Sequence, residues 1–473
     1  MTDSPGDAGP LASAMDVAVA LAAALTLILA CTGAYRDVVA GVVVSIGWMH
    51  TAFAAAAIAA IRHAARPRPS GLASVRRWRA AVRRRPALAD AMLAFWLTRP
   101  TVVFVGLIAT VTIGVAPAAK DALTVRDPAR TLPARWDAQW YAGLAAHGYE
   151  WQRSFNPQQN LAFFPLYPLL IRGLGVATGA FRPGVPADRQ IARLTWCGLF
   201  LSLAAFFWAA WYFARLAREM MDGPRARAAL LLLCAYPFAL FFSAAYTESM
   251  FLLSALGTWF HFRRGDTLPA IGWGLLAGLT RPNGCFLSIP LGLLALGVRD
   301  ATGAPAPAAG FPVRRLMVAA MPGLGMLLFT TYVYQLTGIW FAWSKTHAAW
   351  GRVVGSEAPM SIVSGFGPGG LLGFAVDHPY DLLNATGLLF ALVLVRAVWR
   401  FSPAWAAFVL VNVLVPLSAG GLLSMGRLTS TLFPLFLACA LLMPSGLAMA
   451  MTAGFAVLQG LLAALFYTWR EVY

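Results

Sequence analysis

RWDAQWYAGLAAHGYEWQRSFNPQQNLAFFPLYPLL, residues 135–170, is the longest polar and aromatic-rich passage in a chain of 473 residues that is otherwise mostly apolar. Asp137 stands beside tryptophans at its start, and an apolar segment with two prolines, 163–175, lies at its end. That segment is too short to cross a bilayer, so we interpret it as re-entrant or interfacial. The combination favours a functional loop over a plain connector.

The composition on either side of this passage predicts an all-α polytopic membrane protein. The chain is 59% hydrophobic and 12% charged, whereas soluble proteins carry about 25% charged residues. Apolar runs of about 20 residues recur and predict about 13 transmembrane helices, with a range of about 11–14. We expect these helices near 15–35, 37–62, 90–117, 192–215, 226–246, 248–263, two short runs within 266–298, 316–336, 383–399, 403–420, 429–446 and 447–469.

Basic residues predict how these helices are oriented. The formal net charge is +17, and nine arginines fall between Arg62 and Arg85. A basic run between apolar helices is typical of a cytoplasmic loop and can contact anionic membrane lipid. No nucleic-acid-binding fold surrounds it, so we expect no nucleic-acid partner. The orientation that places this loop inside puts residues 118–190 and 337–380 on the extracytoplasmic side.

This topology collects polar residues at the outer face. Ionisable groups near membrane depth are costly, so a converging set predicts a functional site. Acids can take a proton and cations can hold a phosphate. The collected residues are Asp137, His147, Glu248, Arg281, Asn283, Lys345, His347, Arg352 and Arg427.

Each candidate also has a structural explanation. Asp137 can cap the helix that follows it, and Glu248 can complement a helix dipole. Arg281 and Arg427 can extend to lipid headgroups. His147 fits a helix end, and the tryptophans around Lys345 and His347 fit an interfacial belt.

Familiar cofactor signatures are missing from the sequence. It has no Walker A sequence, no dinucleotide-binding glycine motif and no His/Cys metal cluster. Its five cysteines lie in or beside apolar runs and fit packing roles. We therefore expect no cofactor, with a divalent metal ion not indicated, and a lipid-linked rather than nucleotide donor if the protein transfers a group.

Motifs in a fixed order resemble the second mannosyltransferase of GPI-anchor synthesis (the PIG-V family) and its bacterial relatives. They extend over about residues 90–440. The motifs are RWDAQWYAGLAAHGY (135–149), NLAFFPLYPLLIR (160–172), YPFALFFSAAYTESMFLL (236–253), GLTRPNG (278–284), FAWSKTHAAWGR (341–352) and SMGRLTSTLFPLF (424–436).

The resemblance implies a GT-C glycosyltransferase fold with its catalytic acid in the first large outer loop. It implies transfer of a sugar, in this family mannose, from a polyprenyl-phosphate-linked donor with inversion, to a glycolipid, glycan or protein acceptor. Asp137 matches the family's acid, whereas the residues after it differ from eukaryotic members and leave the acceptor open. The expected layout is two helices and the arginine loop at 1–89, the core at 90–446 and a last helix at 447–473.

Within this expectation the residues take roles. Asp137 is the general base, and Glu248 orients the acceptor or braces an arginine. Cations would stabilise the leaving phosphate, namely Arg281, Lys345, His347, Arg352 and Arg427. The sugar or acceptor would contact Trp136, Trp140, Tyr141, His147 and Asn283. The Ala- and Arg-rich composition suggests a bacterial plasma membrane.

Two other classes stay open at this point. A transporter or lipid flippase would show repeated halves with broken helices in matching positions, and the sequence shows no such repeat. A non-catalytic assembly partner would not need Asp137.

Overall fold

The computed structural model describes residues 15, 18–26, 35–39, 42–65, 82, 84–117, 119, 127–298, 312–352 and 379–472. Residues 16–17 and 27–34 of the predicted first helix lie outside these ranges. Most of the arginine loop and residues 353–378 of the second outer loop also lie outside them.

Helices make up most of the described chain. One antiparallel hairpin joins β1 (Tyr35–Val39) to β2 (Val42–Ile46). The α-helices, in chain order, are α1 (Trp48–Ala65), α2 (Pro86–Thr112), α3 (Ala138–His147), α4 (Leu166–Ala177), α5 (Ala187–Met220), α6 (Gly223–Ala235), α7 (Glu248–Arg264), α8 (Thr267–Thr280), α9 (Ser288–Ala295), α10 (Val313–Ala319), α11 (Met321–Thr337), α12 (Ala342–Thr346), α13 (Pro379–Phe401), α14 (Pro403–Gly420), α15 (Met425–Ser430), α16 (Phe433–Leu442) and α17 (Ser445–Tyr467). Short 3₁₀ turns are Asn160–Ala162, Pro237–Ser243, Pro282–Leu287 and His347–Trp350.

The long helices confirm the predicted class, an all-α polytopic membrane protein. Five helices (α2, α5, α13, α14 and α17) are long and apolar enough to cross a membrane, and two bent pairs raise the number to seven in the described residues. Large apolar side chains on them are exposed, for example Trp96 and Phe104 on α2 and Val393 on α13, as expected where helices face lipid. The count of about 13 spans is not confirmed.

Three predicted helices were wrong in their extent. The one expected over 429–446 is reduced to α16, Phe433–Leu442, because Pro434 starts a new helix after α15 ends at Ser430. The helix expected over 37–62 begins only at Trp48, because the valine-rich residues before it pair as β1 and β2; β-branched residues favour strands. The helix expected over 226–246 ends at Ala235 and bends by 76° into the 3₁₀ turn Pro237–Ser243. Proline lacks an N–H group and disfavours helical geometry at the preceding residue, which is Tyr236.

Buried polar side chains from other helices bind the backbone groups that this break leaves unpaired. Arg99, on α2, is fully buried; its guanidinium donates to the carbonyls of Cys234 at 2.6 Å and Ala239 at 2.5 Å. Gln459, on α17, donates to the carbonyls of Cys234 and Tyr236 at 3.0 and 2.8 Å. Broken helices at membrane depth need such partners. The break is thereby held in one geometry, and the chain beyond it leads to Glu248.

The segment 163–175 is less disrupted than the sequence predicts. Pro165 occupies the N-cap of α4, and Pro168 lies within its first turn, where N–H groups need no helical partner. The helix therefore begins directly after Pro165 and has 12 residues, too few to span. Its membrane depth stays a prediction.

Glycines let α8 and α11 approach closely, and this contact positions the C-terminal end of α8. A Cβ added at Gly278 would lie 2.0 Å from the carbonyl oxygen of Pro322, and one at Gly325 would lie 2.5 Å from that of Leu275. Small residues at such crossings are typical of membrane helices.

We expect Gly278→Ala to lower the free energy of unfolding by about 1–3 kcal/mol, the range typical of overpacking. Gly272, on the same helix, is the matched control because an added Cβ there meets nothing within 4 Å. Thermal unfolding in detergent, followed by tryptophan fluorescence, compares Gly278→Ala with Gly272→Ala. Equal melting temperatures would contradict the close approach.

Candidate active site

Four charged residues that are distant in sequence form one network. Arg427 Nη1 donates to Asp137 Oδ2 at 2.9 Å, and its Nε donates to Glu248 Oε1. Arg281 Nη1 donates to the same Glu248 oxygen at 2.7 Å. The side chains of Arg427 and Arg281 are only 10% and 11% exposed. These arginines are bound to carboxylates rather than extended to headgroups, and two acids balance two cations.

Asp137 holds the N-cap position of α3 without acting as a side-chain cap. Its carboxylate makes no capping hydrogen bond, and its backbone N–H donates to Tyr246 Oη at 3.0 Å. Oδ2 is bound to Arg427, whereas Oδ1 has no hydrogen-bond partner among the described residues and is not buried. The carboxylate thus has one fixed oxygen and one oxygen that is open to a ligand.

Glu248 is the buried centre of the network. It begins α7, is fully buried, and receives both arginines on Oε1. Its Oε2 is buried with no hydrogen-bond partner in the described chain. Because a buried carboxylate without cations is strongly unfavourable, Glu248 acts here as the anchor that orients Arg281 and Arg427.

A cavity of about 750 Å³ opens above this network. Asp137, Arg281 and Arg427 lie on its wall, while Glu248 lies behind them. One part of its apolar lining comes from the 3₁₀ turn Pro282–Leu287, from α14 and from the residues that follow α14, and the other part is aromatic, with Phe163, Phe164, Trp343 and Trp350. The cavity thus combines a charged end with an apolar wall. Seven predicted site residues line it in addition to Asp137, namely Tyr141, Arg281, Asn283, Lys345, His347, Arg352 and Arg427.

Two cations in the cavity have no carboxylate partner among the described residues. Arg352 donates through Nη2 to the carbonyl of Leu423 at 2.8 Å. Burial, Arg427 and Arg281 lower the pKa of Arg352 to about 10, which leaves it charged at pH 7. Lys345 is exposed, with Nζ 5.8 Å from the Phe155 ring centroid. The cavity therefore carries two positive charges in excess of those that its acids balance.

His347 lines the cavity as a neutral ring. Its Nδ1 lies 2.7 Å from the carbonyl oxygen of Trp343; a carbonyl only accepts, so Nδ1 carries the proton. Burial lowers the pKa of His347 to about 4, with Arg352 acting in the same direction. The predicted role of His347 as a phosphate-binding cation does not fit a neutral ring.

Tyr141 and Asn283 line the cavity but are committed to protein contacts. Tyr141 Oη lies 3.4 Å from Thr247 Oγ1, and burial raises the pKa of Tyr141 to about 12. Asn283 Nδ2 donates to Asn412 Oδ1 at 2.8 Å.

Three predicted contacts lie away from the cavity. Trp136 Nε1 donates to the carbonyl of Phe466, and its ring packs against Trp469. Trp140 stacks on Phe163, so it lies one layer behind the wall. His147 is exposed in the last turn of α3. These three residues do not line the cavity, and their predicted contacts with sugar or acceptor stay predictions.

Left-handed backbone geometry occurs beside three of the cavity segments. Trp136 (φ 52°) precedes Asp137, Phe341 (φ 55°) precedes the helix of Lys345, and Ser424 (φ 58°) precedes the helix of Arg427. Non-glycine residues in this region cost about 1–3 kcal/mol each and cluster at functional sites.

Tyr246 is a site residue that the sequence did not single out. Its hydroxyl accepts from the Asp137 backbone, and its ring lies 4.5 Å from the Arg427 guanidinium carbon. Its position two residues before Glu248 in the sequence could have indicated that it belongs to the site. Within the described residues, His, Cys, Asp and Glu form no group of three that could hold a metal ion.

The helices and the cavity together define an all-helical, polytopic membrane protein with a charged candidate site. Residues 129–293 match the family described as mannosyltransferase (PIG-V). This match confirms the predicted resemblance to the PIG-V family over residues 129–293. The matched range contains Asp137, Glu248 and Arg281, whereas Lys345, Arg352 and Arg427 lie beyond it.

Similar proteins include GPI mannosyltransferase 2 of Drosophila pseudoobscura pseudoobscura, 30% identical over 163 residues that cover 34% of this chain and 33% of the relative. The protein of the same description from Drosophila melanogaster is 28% identical over 167 residues, with coverages of 34% and 33%. GPI alpha-1,6-mannosyltransferase 2 of Mus musculus is 32% identical over 156 residues, with coverages of 32% and 29%. The chain thus spans about a third of the length of these curated relatives.

Proposed function

We propose that this protein is an inverting mannosyltransferase that uses a polyprenyl-phosphate-linked donor at the outer face of a bacterial plasma membrane. The acceptor is a glycolipid, glycan or protein. The observation that carries the proposal is the Asp137 carboxylate, which has one oxygen held by Arg427 and the other available at a large cavity. The similarity to GPI mannosyltransferases supports mannose as the sugar.

Asp137 is the general base in this proposal. Its Oδ1 takes the proton of the acceptor hydroxyl while the hydroxyl oxygen attacks the anomeric carbon of the sugar. The bond between that carbon and the phosphate oxygen breaks, and the phosphate leaves with the electron pair. The proton passes from Asp137 to water. One displacement inverts the anomeric centre.

In this proposal the leaving phosphate binds to the cavity cations that have no carboxylate partner in the described chain. Arg281 pairs with Glu248, and Arg427 pairs with Asp137. In this proposal the main role of the two arginines is to position these carboxylates. Arg352 and Lys345 have no carboxylate partner in the described chain. They supply the charge that stabilises a developing phosphate, as fixed cations do in phosphoryl sites.

The apolar wall of the cavity supports a lipid-linked donor. Phe286, Val415, Pro416 and Leu423 line it beside the charged end. A polyprenyl chain can lie against such a wall while its phosphate reaches Arg352. A water-soluble nucleotide sugar would gain nothing from it.

Purified protein in liposomes with labelled polyprenyl-phosphate mannose and membrane-extracted acceptors tests the function. We expect label to move to an acceptor while polyprenyl phosphate is released. If no lipid-linked sugar is consumed, the proposal fails.

Arg352→Met is expected to weaken the binding of polyprenyl phosphate by about ten- to a hundredfold, because a hydrogen bond to a charged group contributes about 1.5–3 kcal/mol. Arg172→Met is the control, since Arg172 also donates only to backbone carbonyls, those of Ala145 and Ala146, and lies outside the cavity. Fluorescence titration with a short-chain polyprenyl phosphate measures both. If both variants bind polyprenyl phosphate equally well, Arg352 does not bind the phosphate.

A further inference from the structure

One nitrogen in the cavity wall has an acceptor lone pair and no protein donor. Burial keeps the ring of His347 neutral by lowering its pKa to about 4, and its Nδ1 carries the proton that binds the carbonyl of Trp343, so the second ring nitrogen, Nε2, has no proton. Nε2 has no hydrogen-bond partner among the described residues, and it is not sealed from solvent. The Nε2 atom of a neutral imidazole fixed in this way can accept a hydrogen bond and has none to donate.

The neighbours of His347 indicate what its Nε2 meets. Lys345 and Arg352 lie two and five residues away in the chain, and all three line the cavity. Lys345 and Arg352 are the residues proposed to bind the phosphate of the donor. A sugar bonded to that phosphate is the nearest part of the donor, and its hydroxyl groups are hydrogen-bond donors.

We infer that His347 Nε2 accepts a hydrogen bond from a hydroxyl group of the donor's sugar and thereby distinguishes the sugar-bearing lipid from the bare lipid phosphate. The inference rests on the proposed function and adds a residue that recognises the sugar. Sites that hydrogen-bond a hydroxyl reject analogues that lack it, because the site's polar group is then left unpaired.

Two substitutions separate the two ring nitrogens. His347→Asn keeps a donor close to the Nδ1 position for the Trp343 carbonyl and removes the distal acceptor. His347→Gln places an amide oxygen near the Nε2 position and restores an acceptor. Both variants remove the ring, so a difference between them reports the acceptor rather than the ring's packing. Thermal unfolding checks that both are folded.

The test measures dissociation constants for polyprenyl-phosphate mannose and for polyprenyl phosphate in parallel. We expect His347→Asn to weaken binding of the mannosyl lipid about five- to tenfold, the effect of one hydrogen bond, and to change binding of the bare phosphate less than about twofold. His347→Gln should recover most of the loss. Mannosyl donors that each lack one hydroxyl group then identify the hydroxyl: its removal weakens the wild type and leaves His347→Asn unchanged.

Equal weakening of both lipids in His347→Asn would assign His347 to the phosphate and overturn the inference. So would unchanged binding of both. A wild type that binds mannosyl lipid and bare phosphate equally would also overturn the inference, whereas the proposed function fails only if no lipid-linked sugar is consumed in the transfer assay.

Discussion

Replacing Asp137 by asparagine is expected to slow sugar transfer by about 10²–10⁴-fold, the usual contribution of a general base. The amide keeps the size of the carboxylate and an oxygen for Arg427 Nη1, which lies 2.9 Å away in the parent. It cannot take a proton from an acceptor hydroxyl. The loss should therefore appear in kcat, while the dissociation constant for the donor changes by less than about threefold, the pattern of an interaction made only in the transition state.

Asp127→Asn is the matched control for this loss. Asp127 lies in the same predicted outer loop, and its carboxylate accepts from the Arg130 backbone at 3.0 Å outside the cavity. We expect this variant to retain parental kcat. A folded Asp137→Asn protein with near-normal kcat would show that Asp137 is not the general base. An equal loss of kcat in both variants would mean that the substitutions disturb the loop rather than remove a catalytic carboxylate.

Replacing Glu248 by alanine is expected to lower the free energy of unfolding by about 3–5 kcal/mol, the cost of leaving buried cations without their partner. Arg281 and Arg427 both donate to Glu248 Oε1, and Glu248 is fully buried. Without it, two positive charges face each other beside Asp137. Thermal unfolding in detergent measures the loss.

Glu219 offers a matched comparison, since it also pairs with two arginines. Its Oε2 lies 3.3 Å from Arg263 Nη1, and its Oε1 lies 2.6 Å from Arg264 Nη2. The side chain of Glu219 is 31% exposed, whereas that of Glu248 is fully buried. Exposed pairs contribute about 0–1 kcal/mol, so Glu219→Ala should shift the melting temperature little. A loss for Glu248→Ala no larger than that for Glu219→Ala would mean that the buried network does not stabilise the fold.

Hydropathy predicted the fold class and most helix positions. The length of an apolar run reflects bilayer thickness, which is why α2, α5, α14 and α17 lie close to their expected ranges. The same runs do not distinguish a continuous helix from a broken one. Arg99 went unnoticed as one cation in an apolar helix, although its bonds to Cys234 and Ala239 hold the break that precedes Glu248.

The site was predicted as a set of residues but not as a set of contacts. Loop charge assigns a side of the membrane to Asp137, Glu248, Arg281 and Arg427 without assigning their neighbours. Arg427 is 290 residues from Asp137 and 179 from Glu248, and such separations carry no periodic signal. Rotation of each helix about its axis decides which tryptophans face the cavity, and the sequence alone does not give this rotation. Trp136 and Trp140 were therefore predicted as ligand contacts, although in the structure they pack behind the cavity wall.

The anomeric configuration of the transferred sugar tests the central claim most directly. Protein in liposomes converts polyprenyl-phosphate mannose of known configuration, and NMR of the purified product gives the configuration of the new bond. A single displacement with Asp137 as base predicts a product of the opposite configuration. Retention of configuration, as in a double displacement through a carboxylate nucleophile, would contradict it. The absence of any transferred mannose would also contradict it.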